Sequence, residues 1–93
     1  MANISIWRGY RSFVTGYSDY KTISFVGSEI GSFRFTDADG DVQYRVFRND
    51  NDEIIIFFLE RRGYDATAEV YEYPTLEAAS KDYAFILKKA GVF

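Results

Sequence analysis

Six consecutive apolar residues, Ile54 to Leu59, stand between Glu53 and Glu60. A strand shows alternate residues to opposite faces, so a strand with one face in water needs only every second residue apolar. This stretch predicts a strand covered on both sides. Around it the pattern alternates: Ser32-Phe-Arg-Phe-Thr36 sets Phe33 and Phe35 on one face, and Val42-Gln-Tyr-Arg-Val-Phe-Arg48 groups Val42, Tyr44 and Val46. Both read as strands, separated by the turn-forming Asp37-Ala-Asp-Gly-Asp41 and followed by Asn49-Asp-Asn-Asp52. Ala66 to Tyr73 predicts a further strand, which Pro74 stops because proline donates nothing to the ladder.

Upstream, Tyr20 to Val26 reads as a strand closed by the glycine-punctuated Gly27-Ser-Glu-Ile-Gly31. In the first 19 residues, Trp7, Tyr10, Phe13 or Val14, and Tyr17 fit helical spacing, but Gly9 and Gly16 interrupt it and the aromatic, Ser and Thr content favours a hairpin. Beyond Pro74 the period changes. Thr75 is a candidate N-cap, and Leu76, Ala79, Tyr83, Ile86, Leu87 and Ala90 recur at helical spacing up to Gly91. Short links between strands favour a meander. The expected fold is α+β: an antiparallel β-meander of about five strands with a C-terminal α-helix packed on one face, in a single domain over 1–93.

The sheet then has two faces to cover. One, with Phe33, Phe35, Val42, Tyr44, Val46, Ile54, Ile56 and Phe58 joined by Ala66, Ala68 and Val70, is assigned to the helix. The other carries Phe47, Ile55, Phe57, Leu59, Tyr71 and Tyr73 beside Gln43, Arg45, Thr67 and Glu69. Either Ile4, Ile6, Trp7 and Tyr10 fold over those six residues or they form an interface, because large contiguous apolar patches are uncommon on monomers.

Composition narrows the chemistry. The 93 residues are 47% hydrophobic and 19% aromatic, which suits a packed, sheet-rich domain and not a disordered chain. With no Cys and no His, thiolate and imidazole catalysis, zinc sites and disulfides are all excluded. Carboxylate chemistry remains, but the acids concentrate in turns, so no catalytic residue, cofactor or metal is assigned. No run approaches the roughly 18 apolar residues of a membrane span, and a cytoplasmic location is the default expectation.

Charge is uneven: residues 1 to 36 carry +2 and residues 37 to 60 carry −5, within a net −3. An acidic middle makes nucleic acid an unlikely partner, since backbone binding needs several cations on one surface. Asp37-Ala-Asp-Gly-Asp41 opens like an EF-hand loop, yet Val42 replaces the required glycine and Arg48 the bidentate glutamate. Arg8-Gly-Tyr10 with Phe13-Val14 has the residue types of an RRM strand at the wrong spacing.

Two functional expectations follow. The first is a small non-catalytic intracellular protein working through protein contacts, as a homodimer or an inhibitor of a larger partner of phage or mobile-element type, with Phe47, Ile55, Phe57, Leu59, Tyr71 and Tyr73 as interface. The second is a small-molecule or nucleotide-binding module using Trp7, Arg8, Tyr10 and Arg11, where aromatic and guanidinium groups could hold a base or a phosphate.

Overall fold

The computed structural model describes residues 1–12 and 14–93. It contains β1 (Ala2–Ser12), β2 (Gly16–Asp37), β3 (Gly40–Asn49), β4 (Ile54–Arg62), β5 (Asp65–Tyr73) and α1 (Leu76–Lys89). Consecutive strands pair antiparallel, giving a five-stranded sheet followed by one helix. The first residues are strand, as the glycines and the Ser/Thr content indicate. Beyond the expected meander, β1 returns to β5 over four pairs, Gly9↔Ala68 to Ser12↔Asp65, and the sheet closes into a barrel.

The largest departure from the expected elements is β2. The segment Gly27 to Gly31 is no turn: the strand runs through it for 22 residues, with a register shift between Glu29 and Gly31. One extra residue, Ile30, forms a bulge there, and a bulge exchanges the faces on either side of it. Gly27 permits close contact, since a Cβ would meet the backbone of Arg48 and Asn49. Gly31 lies against the end of the helix, where Ser32 donates its N–H to the Ala90 carbonyl at 3.1 Å.

The acidic stretches build turns. Asp37 Oδ1 accepts the backbone N–H groups of Asp39 and Gly40 at 2.9 and 3.0 Å. At the other end Asn49, buried, accepts from the N–H groups of Asn51 and Glu53 and donates to the Glu53 carboxylate, each at 2.9 Å. Asn and Asp do this because their short side chains imitate a backbone turn.

Two apolar clusters result. Inside the barrel lie Ile6, Phe47, Ile55, Phe57, Leu59, Ala66 and Ala68, flanked by Ile4, Trp7, Ile23, Phe25 and Val70. Outside it, Val46, Ile54 and Ile56 bury Ala79, Leu87 and Ala90. The run Ile54 to Leu59 thus serves both clusters, Ile54 and Ile56 outward and Ile55, Phe57 and Leu59 inward. Each such side chain contributes about 1.5–3 kcal/mol through burial.

Helix α1 starts as its sequence indicates, with Thr75 Oγ1 accepting the Ala78 N–H at 3.1 Å. Tyr83 departs from helical geometry (φ −128°, ψ 29°), kinking the helix where its ring meets Tyr71 and Tyr73.

Pairing in β4 and β5 corrects the two faces drawn from the sequence. The Gly63-Tyr64 turn sets Arg62 opposite Asp65, so Phe57 meets Val70, Leu59 meets Ala68, Ile56 meets Tyr71 and Ile54 meets Tyr73. Ala66, Ala68 and Val70 therefore share the barrel side, and Tyr71 and Tyr73 the helix side. A shift of one residue in register exchanges the two faces of a whole strand, and the alternation within β5 alone does not fix that register.

Candidate functional site

The six residues grouped from the sequence as an interface are divided by the fold. Phe47, Ile55, Phe57 and Leu59 are buried in the barrel, covered by β1 through Ile6, Ile4 and Trp7. They offer no surface to a partner. Tyr71 and Tyr73 lie outside, half-buried beside α1. The Tyr71 hydroxyl donates to the Glu69 carboxylate, and the Tyr73 hydroxyl donates to Asp82 Oδ2 at 2.9 Å. These carboxylates, together with burial, hold both phenols neutral: Tyr71 is raised well above its ordinary value, with the Glu69 bond the largest cause.

The four residues grouped as a ligand cluster are also partly separated. Trp7 stacks on Tyr20, with centroids 5.4 Å apart and planes at 27°, and the Arg11 guanidinium stands 5.2 Å from the Trp7 ring centroid. Trp7 and Arg11 are thus together. Arg8, paired with Lys21, stands apart from them, just before Gly9, whose φ of 123° and close approach to the Asp19 carbonyl suit only glycine. It borders a cavity with Lys21 and Glu72 instead. Tyr10 pairs with Thr67 and, as Arg11's immediate neighbour in an extended strand, faces the opposite side.

An outward-facing aromatic row is the feature that the sequence grouping missed. Beyond the bulge at Ile30, Phe33 and Phe35 point outward, and register sets Phe33 opposite Tyr44, Tyr44 opposite Phe58 and Phe58 opposite Glu69. Phe33 and Tyr44 stack at 5.2 Å and 20°, Tyr44 and Phe58 meet at 5.1 Å and 51°, and Phe33 and Phe35 stack at 6.3 Å and 18°. Cross-strand aromatic pairs of this kind hold a sheet surface rigid. Phe35 remains 48% exposed, and Phe33, Tyr44 and Phe58 are half-buried.

Helix α1 covers only part of this row, for a reason of size: Phe33 and Tyr44 pack against the cluster it forms with Val46, Ile54 and Ile56, and Phe35 and Phe58 do not. A helix is about 10 Å wide, whereas the outward face of β4 from Ile54 to Glu60 extends roughly 20 Å at about 3.3 Å per residue. The helix reaches Ile54 and Ile56, and Phe58 and Glu60 lie beyond it. The sequence assigns all four aromatics to helix cover; Phe33 and Tyr44 receive part of it, and the width of one helix is the available signal that Phe35 and Phe58 lie beyond it.

Carboxylates border the row. Glu69 ends it, and Glu60 lies opposite Val42 in the next cross-strand pair. Arg62 meets Glu60 at 3.2 Å and Asp37 at 3.4 Å, so these two carboxylates share one guanidinium, while Glu69 accepts the Tyr71 hydroxyl. The Asp37 carboxyl is lowered chiefly by the Asp39 N–H, and the Tyr44 phenol is raised chiefly by burial, with Tyr83, Glu60 and Glu69 adding to it. The face is aromatic and acidic at once.

Among the described residues, no group of three or more Asp or Glu is placed to hold a metal ion. No described helix is long and apolar enough to cross a membrane. Comparison with protein-family models, curated proteins and solved structures returns no match to this chain.

Proposed function

We propose that this chain is a small non-catalytic intracellular binding protein that acts through protein contacts, with the row Phe33, Phe35, Tyr44 and Phe58 as its contact surface. The observation that carries this reading is the pairing of an ordered, partly exposed aromatic row with a carboxylate border. Aromatic side chains preorganised by their neighbours lose little entropy on binding and dominate contact energies. Glu60, Glu69 and Asp37 favour a partner that sets basic side chains beside an apolar one.

The same charges favour a different protein over a second copy. A two-fold interface brings the same patch from each subunit together, so acidic borders would face each other across it. An inhibitor of a larger, basic-surfaced partner suits this face better than a homodimer, and the cytoplasm is its expected location.

The test is affinity capture from the native host with the wild-type chain and an F35A/F58A variant whose far-UV circular dichroism is unchanged. The expected result is a partner held by the wild type and lost by the variant, and lost also by E60K/E69K. Equal capture by all three chains would overturn the assignment. Solution mass checks the choice between copies and partners, with about 10.8 kDa expected for the chain alone.

A further inference from the structure

The mouth of the barrel carries a second arrangement, on the opposite side of the sheet from the aromatic row. Arg11 and Arg61 are both paired with Ala66, one from each side, so the three form a single cross-strand row. Directly paired residues share a face, and neighbouring strands lie about 4.8 Å apart, which sets the two arginine Cα atoms roughly 10 Å from each other. Between them stands only the methyl group of Ala66. A cavity of about 520 Å³ opens there, bordered by Arg11, Arg61, Ser12, Tyr17, Tyr64 and Asp65.

Among the described residues neither guanidinium forms an ion pair, the ion pairs using Arg45 and Arg62, although the Asp65 carboxylate borders the same cavity. Asp41 lies opposite Arg61 in register, and its carboxylate accepts the Thr36 hydroxyl at 2.6 Å. Two like charges on one face repel, and an anion between them relieves that repulsion. Arginine also presents a planar fork that matches phosphate oxygens.

Beside the arginines runs a connected series of rings. Tyr17 and Tyr20 meet at 4.7 Å, Tyr20 stacks on Trp7, and Arg11 stands over Trp7. Tyr17, at the cavity wall, is 63% exposed and offers a ring face to a planar group.

We propose that this row is a binding site for a nucleoside phosphate, with the phosphate between Arg11 and Arg61 and the base against Tyr17. It shares no residue with the protein-contact surface. Trp7 is the only tryptophan in the chain and touches Arg11, so its emission reports occupancy.

The experiment titrates the full chain with adenosine 5′-monophosphate, adenosine and sodium phosphate while following Trp7 emission. A saturable change is expected with adenosine 5′-monophosphate, at least tenfold weaker with phosphate and with adenosine, and weakened by added salt. R61A, which leaves the reporter contact intact, is expected to lose at least tenfold in affinity. R61K, keeping the charge without the fork, should fall between, and far-UV circular dichroism establishes that both variants fold. Several results would overturn the site: no saturable change with adenosine 5′-monophosphate, unchanged affinity in folded R61A and R61K, or equal affinity for adenosine. Phosphate alone binding as tightly would remove the ring from the site and the proposal with it.

Discussion

Phe25 and Phe33 are an even number of residues apart in one strand, yet they face opposite sides of the sheet. Phe25 meets the edge of Phe47 inside the barrel at 5.5 Å, while Phe33 stacks on Tyr44 outside it. In an unbroken strand, even spacing means the same face. Ile30, inserted between them as a bulge, is what separates the barrel half of β2 from its outward half.

Deleting Ile30 is therefore expected to abolish the native fold. Regular alternation would send Phe33 and Phe35 into an interior already filled by Phe47, Ile55 and Phe57. The check is amide dispersion in a proton–nitrogen correlation spectrum. A deletion variant with native dispersion would show that the bulge does not determine the faces.

The buried and exposed aromatics separate stability from contact. F57A empties part of the barrel core and is expected to cost about 3–5 kcal/mol in urea denaturation. F35A removes a ring at the surface, and its cost should stay within about 0.5 kcal/mol. A large loss in F35A would mark Phe35 as part of the stabilising core.

Gly31 tests how the helix end is held. A Cβ there would stand 2.5 Å from the Ala90 carbonyl oxygen and 2.8 Å from a Val92 methyl. G31A is expected to cost about 1–3 kcal/mol by forcing α1 away from β2, with amide exchange accelerated at Ser32. Unchanged protection of the Ser32 amide would place the anchor elsewhere.

Alkaline pH should act through Tyr73. Burial first, and then its bond to Asp82, push its phenol up to about 12, against about 10 when unfolded. The folded state holds this proton more tightly, so its contribution is complete below pH 10 and disappears as pH rises from 10 to 12. For so exposed a hydrogen bond that contribution is about 1 kcal/mol or less. Y73F is thus expected to be slightly less stable than wild type at pH 9 and equal to it near pH 12. A gap that stays constant across this range would exclude the phenol as its source.

Much of the fold was legible from alternation and punctuation. Thr75, Pro74 and the helical spacing from Leu76 to Ala90 located the helix, and the run Ile54 to Leu59 required cover on two sides. The Gly27 to Gly31 segment was misread because glycines mark both turns and bulges, and local pattern alone does not separate them. The mistake over Tyr71 and Tyr73 has another origin: strand pairing is a relation between segments, and either face of β5 carries enough apolar residues to be buried. The proximity of Arg11 and Arg61 was invisible for the same reason, since 50 positions separate them in the chain.

Strand β2 has a consequence for how the chain folds. Its 22 residues carry Ile23 and Phe25 against the barrel cluster and Ile30 and Phe33 against the helix cluster. Neither half can reach its final place without fixing the direction of the other, and the closing pairs between β1 and β5 join segments from opposite ends of the sequence. Assembly is accordingly dominated by distant contacts, which makes it slow for a chain of this length.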